Sequence, residues 1–95
     1  MKTPRVADGL TSAWAQYALI IDGSPAVQVK FTEVLIPSVG HYPKALTQQD
    51  SYSAFPVTSY GVEVCKRLTG KVLSLPIHPY LVAYDQAGII EVLQQ

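Results

Sequence analysis

Seven prolines, at positions 4, 25, 37, 43, 56, 76 and 79, cut this 95-residue chain into short segments. Proline has no backbone N–H and holds φ at about −65°, so it ends strands and breaks helix interiors. Between prolines the chain has room only for short elements. No segment approaches the ~18 uninterrupted apolar residues needed to cross a bilayer. The longest apolar run, Ala18 to Ile21, is stopped by Asp22-Gly23.

The first eleven residues, with Pro4 and Gly9, read as a leader that need not be ordered, followed by one domain over residues 12–95. From Ser12 to Ile21 the chain reads as a strand. Ala13, Ala15, Tyr17, Leu19 and Ile21 share one face, and Trp14, Gln16, Ala18 and Ile20 the other. Both faces are mostly apolar, which suits a central strand. Asp22-Gly23 marks a turn, and Ser24-Pro25 offers an N-cap oxygen and a proline at the first helical position. The helix that follows has Val27, Phe31, Val34 and Leu35 on its inner stripe and ends before Pro37.

Ser38 to Tyr42 is expected as a second short strand, closed by Pro43, and residues 44–56 as a long polar loop of the functional or disordered kind. A helix beyond Pro56 would place Val57, Gly61, Val64, Cys65 and Leu68 on one side, pair Glu63 with Arg67, and stop at Gly70. Val72 to Leu75 is a third short strand, ended by Pro76. Residues 77–80 are too proline-rich for a regular element, and a last helix over residues 85–94 turns Ile89, Ile90 and Leu93 inward. Three strands with returning helices imply an α+β fold: a two-layer sandwich with a small three-stranded sheet and helices on one face.

Charge narrows the function. Seven basic and seven acidic residues cancel, and the basic residues are scattered, which argues against nucleic acid or an anionic membrane as partner. Only 15% of residues are charged while 48% are hydrophobic, so too little of the chain looks like surface. Some apolar surface is expected to meet another protein part. One cysteine, Cys65, cannot form an internal disulfide, and on the inner stripe of a helix it reads as a small buried hydrophobe. The N-terminus leads into no hydrophobic signal core, so a cytoplasmic location is the expectation.

Reactive side chains are few. There is no Gly-rich phosphate cradle, no Cys-x-x-Cys and no His-Glu-x-x-His. A Cys65–His nucleophile pair needs an exposed Cys65, and a metal site on His41 and His78 has no third ligand signalled by spacing, so no metal is expected. His41 and Tyr42 sit at a strand end before the long loop, placed either to hydrogen-bond a ligand at the sheet edge or to satisfy loop backbone groups. His78, between Ile77 and Pro79, reads as a packed ring with one nitrogen bonded to backbone.

The runs Trp14-Ala15-Gln16-Tyr17, Val27-Gln28, Ile36-Pro37-Ser38-Val39-Gly40-His41-Tyr42-Pro43 and Leu73-Ser74-Leu75-Pro76-Ile77-His78-Pro79-Tyr80-Leu81 resemble the C-terminal end of the DegT/DnrJ/StrS family. The resemblance covers residues 13–93. Members are pyridoxal-phosphate-dependent aminotransferases of nucleotide-linked keto-sugars with the aspartate aminotransferase fold. The resemblance implies that this chain corresponds to their small C-terminal domain. It further implies that the lysine holding the cofactor, the carboxylate facing the pyridine nitrogen and most of the phosphate cradle belong to a large domain. No lysine here sits in a motif like that of the cofactor lysine. The chain alone is therefore expected to carry no catalytic residue and no cofactor. By the same resemblance His41 and Tyr42 are substrate-binding contacts, and Trp14, Leu75, Pro76, His78, Pro79 and Tyr80 lie at the domain interface. Where the family usually has a glycine after the first helix, this chain has Leu35, so that helix end should be built differently.

Two readings follow. The chain works as the small domain of a sugar aminotransferase, or it is a free-standing binding or self-association module whose open sheet face is closed by a second copy. Both expect a partner, either a large aminotransferase domain or another copy of the chain.

Overall fold

A computed structural model describes all residues 1–95. In chain order the elements are β1 (Tyr17–Ile20), α1 (Ser24–Glu33), two 3₁₀ turns (Leu46–Gln48 and Asp50–Tyr52), α2 (Glu63–Leu68), β2 (Val72–Leu75) and α3 (Ala83–Gln94). β1 and β2 pair antiparallel with Tyr17 opposite Leu75, Ala18 opposite Ser74, Leu19 opposite Leu73 and Ile20 opposite Val72. Because side chains alternate along a strand, Leu19 and Leu73 share one face, and both are fully buried. Phe31 of α1 and Ile89 and Val92 of α3 complete the core with Leu73. The α+β class is as expected.

The sheet is smaller than expected. It has two strands, with single-residue antiparallel bridges on either side: Lys2 to Ile20 and Val39 to Ser74. Residues 38–42, expected as a strand, contribute only Val39, whose N–H and C=O both bond Ser74, at 3.1 and 2.7 Å. Pro37 and Pro43 bracket this segment and lack the N–H groups a longer ladder would use. Residues 1–11 supply an ordered bridge, since Lys2 exchanges both hydrogen bonds with Ile20, at 2.7 and 3.0 Å. β1 begins later than the expected Ser12 because Trp14 has φ 49°, which interrupts extended backbone.

Helix ends also correct the sequence reading. Gly23, with φ 70°, is the N-cap of α1, and Ser24 lies within the helix. Its hydroxyl caps nothing; it is buried and donates to the Gly70 carbonyl at 2.7 Å, tying the start of α1 to the turn before β2. At the other end Leu35 N–H bonds the Thr32 carbonyl at 3.0 Å and Ile36 N–H bonds the Phe31 carbonyl at 2.9 Å. These two bonds are the Schellman pattern, and Leu35 occupies its left-handed position with φ 59°. The helix end thus has the form glycine usually makes, built with leucine. The reversal swings Val34 and Leu35 out of the expected inner stripe and returns Ile36 to the core.

α2 is short because Gly61 has φ 73° and Val62 is the N-cap, so the helix never reaches back to Val57. Without the earlier turn the expected apolar stripe does not form, and Val64 and Cys65 are exposed. Glu63 pairs with Lys66 at 3.6 Å instead of with Arg67. In α3, Val92 takes the buried place expected of Ile90, which is exposed. Spacing explains the exchange: Ile89, Val92 and Leu93 recur at i, i+3 and i+4 and share one face. Lys71 Nζ donates to Asp22 Oδ1 at 2.7 Å, linking the turn after β1 to the residue before β2.

Two outcomes follow from this architecture. Left-handed backbone costs a non-glycine residue about 1–2 kcal/mol, partly offset because glycine frees the unfolded chain by about 0.4–1 kcal/mol. Leu35→Gly should therefore raise stability in denaturant unfolding by about 0.5–1 kcal/mol, and Leu35→Ala, which keeps the strain, should not. The hydrogen bond and charge of Lys71 hold the Asp22 carboxyl below its ordinary value of 3.8. A lowered pKa adds stability above the unfolded value and loses it as pH falls through the folded one, and full exposure keeps the effect small. An NMR titration of the Asp22 carboxyl should give a midpoint under 3.8 that returns to 3.8 in Lys71→Met.

Candidate functional site

After the Val39 bridge the chain leaves the sheet edge at Gly40 and presents His41 and Tyr42. Both are exposed, Tyr42 at 81%. Their rings stand edge to face with centroids 5.8 Å apart, and the peptide bond between them is cis. One anchor on this segment is Gln28 of α1, whose Nε2 donates to the Ser38 carbonyl at 2.9 Å. A helix residue outside the apolar stripe thus positions the approach to His41.

His41 and Tyr42 line an open cavity of about 440 Å³ together with Lys44, Cys65, Leu68 and Val72. The first 3₁₀ turn forms its rim with Leu46 and the following Gln49, held by a hydrogen bond of 2.9 Å from Ala45 N–H to Gln48 Oε1. Ala45, buried in this loop, is the apolar post on which it rests. The region expected as a long polar loop, functional or disordered, has local helical structure and forms one wall of a cavity.

Cys65 and Lys44 are members of this cavity that sequence reasoning missed. Cys65 was expected inside; with α2 starting at Glu63 it is exposed and shares the cavity with His41. No local signal marks that approach, because Cys65 and His41 meet only through the folding of the intervening loop.

A second, smaller cavity of about 290 Å³ joins His41 to Gln16, Ser38, Ser74 and Pro76. The hydroxyls of Ser38 and Ser74 are buried there without a protein partner. A third, of about 410 Å³, is lined by Tyr17, Leu75, Pro76, Ile77 and His78. Trp14 reaches it indirectly, its ring 5.2 Å from that of Tyr17. Trp14, Leu75 and Pro76 are half-buried, while His78, Pro79 and Tyr80 are exposed. The His78 ring, expected to be packed, is exposed, although its Nδ1 does accept the Tyr80 N–H at 3.2 Å. His41 therefore adjoins residues 75–77 in the smaller cavity, and that segment continues into the third, which α3 borders through Gln86, Ile89 and Ile90.

The model of the DegT/DnrJ/EryC1/StrS aminotransferase family matches residues 1–94. The chain belongs to this family. The match begins at residue 1, ahead of the resemblance visible from Ala13. Over 91 residues the chain is 32% identical to UDP-2-acetamido-2-deoxy-3-oxo-D-glucuronate aminotransferase of Pseudomonas aeruginosa, which covers 92% of this chain and 23% of that protein. The crystal structure of a DegT DnrJ EryC1 StrS aminotransferase from Brucella abortus superposes with a TM-score of 0.89 at 38% identity, over 98% of this chain and 25% of that one. The chain spans about a quarter of the length of these family members. No helix is long and apolar enough to cross a membrane, and no group of three or more potential metal ligands is present.

Removing the amide that holds Ser38 tests how the site is positioned. Gln28→Ala should cost about 1 kcal/mol. Hydrogen exchange should quicken at Val39 and Ser74 while the Leu19 and Leu73 amides stay protected.

Proposed function

We propose that this chain serves as the small C-terminal domain of a pyridoxal-phosphate-dependent aminotransferase acting on a nucleotide-linked keto-sugar. The surface carries the argument. A self-contained protein of 10.3 kDa exposes about 5,400 Å². This chain exposes 7536 Å² and buries only eight residues. Its radius of gyration is 15.7 Å against about 12 Å for a compact chain of this length. The excess of roughly 2,000 Å² falls in the range of permanent protein interfaces. A small domain that completes its packing on a larger one has this property.

In this reading His41 and Tyr42 touch the substrate, and Trp14, Leu75, Pro76, His78, Pro79 and Tyr80 pack against the lysine-bearing domain. The chain's own groups do not fit the cofactor. A lysine that holds it needs a desolvated amine beside a phosphate cradle. Here Lys71 is paired with Asp22, Lys66 with Glu63, Lys30 donates to the Gln95 carbonyl, and Lys2 and Lys44 are exposed. All seven carboxylates are exposed as well. The imidazole of His41 and the phenol of Tyr42 can donate and accept hydrogen bonds, which suits orientation of sugar hydroxyls and phosphate oxygens. In isolation a second copy covers the open face, and the assembled enzyme is cytoplasmic.

A chimera tests the reading: the corresponding quarter of the Brucella abortus relative is replaced by this chain, and transamination of a UDP-linked 3-oxo-sugar is followed. The chimera should be active. His41→Ala and Tyr42→Phe should each raise KM about three- to tenfold, the worth of one hydrogen bond, with kcat less affected. The 95-residue chain alone, titrated with pyridoxal phosphate, should give no saturable visible band. An unchanged KM in both variants would remove the substrate role. A visible band abolished by replacing one particular lysine would overturn the absence of catalytic apparatus.

A further inference from the structure

On the helical side of the molecule, the C-terminal end of α1 and the outer surface of α3 enclose a groove of about 570 Å³. It shares no residue with the larger cavity at His41 and meets the smaller one only at Pro37 and Pro76. Its apolar wall is Val34, Leu35, Ile36, Leu81 and Tyr84. Leu35 is 91% exposed and Tyr84 87%. Leu35 also holds the left-handed position with φ 59°, where glycine would be free of strain. A large apolar side chain at that position earns nothing within this chain. A leucine there, strained and bare, points to a contact made by the side chain itself.

The charges around the groove say what makes that contact. Asp85 and Glu91 line it, no lysine or arginine does, and the other ionisable lining groups are His78 and the Tyr84 phenol. Glu33 lies next in sequence to Val34. Neither Asp85 nor Glu91 takes part in an ion pair. Lys30, on the same helix as Glu33, is engaged with the Gln95 carbonyl at 3.1 Å. A second copy seated here about a two-fold axis would bring these carboxylates toward their own mates, which opposes self-association.

We infer that the groove bordered by Leu35 and Tyr84 is a docking site for a partner segment presenting an apolar side chain flanked by lysine or arginine. The apolar anchor seats between Leu35 and Tyr84, and the flanking cations meet Asp85 and Glu91. Pro76 and His78 also line the groove, so it borders the proposed domain interface, but the residues that make the contact, Leu35, Tyr84, Asp85 and Glu91, serve neither that interface nor the substrate reading.

The test titrates the 95-residue chain with a synthetic amphipathic leucine–lysine peptide, and with a leucine–glutamate counterpart, following amide resonances by NMR. The lysine peptide should shift Val34, Leu35, Tyr84 and Ile89 saturably and bind about tenfold more weakly at 500 than at 50 mM salt. The glutamate peptide should not bind. Leu35→Gly should weaken binding at least about fivefold although it folds as well or better, and Asp85→Asn with Glu91→Gln should abolish the salt dependence. The proposal is overturned by shifts that fall elsewhere, by equal binding of both peptides, or by full affinity in Leu35→Gly. Sedimentation as a dimer that Leu35→Gly dissociates would assign the groove to a second copy instead.

Discussion

Leu19 and Leu73 face each other across the only continuous strand pair in the molecule, and both are excluded from water. Every other element takes its place from this pair. Register puts them on one face, where Leu73 meets Phe31, Ile89 and Val92, so both long helices must lie on that side. A slip of one residue would send Leu19 and Leu73 to the open face and leave the helices without a floor. Burying two leucines and a phenylalanine contributes about 1.5–3 kcal/mol each, a large share of what so small a core can supply.

The pair also delivers the site. Ser74 sits next to Leu73 on the opposite face, and its backbone accepts the single bridge from Val39 that launches the chain toward His41. Gln28 closes the same segment from the helical side. The position of His41 and Tyr42 thus rests on one bridge and one side-chain amide, both anchored to elements that the core holds still. The cavity they line is completed by a loop with a single buried residue, Ala45. A loop so lightly packed takes its final shape from whatever it contacts.

Family membership and surface area point to the same physical condition. With about a quarter of the length of its relatives, the chain has a core of a few residues and a broad apolar exterior. Burial of that exterior cannot come from within, because α1 and α3 already lie against the face that Leu19 and Leu73 share. Leu35 belongs to the same theme: an apolar group stands where nothing within the chain covers it.

Much of this was readable in the chain. The alternation around Leu19, the stripe of Val27 and Phe31 and the run Val72 to Leu75 specify element type, and the motifs at His41 and His78 specify the family, since each depends on neighbours a few residues away. What failed depended on distant ones. Ser24 was read as a cap, but its hydroxyl found the Gly70 carbonyl, 46 residues on. Cys65 was read as core, but the left-handed turn at Gly61 shortened its helix and left it facing the His41 cavity. Residues 38–42 were read as a strand, yet the sheet edge gave them one pairing partner. Local periodicity determined which faces are apolar; only the tertiary structure decided which of them found cover, because a face is buried by what the rest of the chain brings against it.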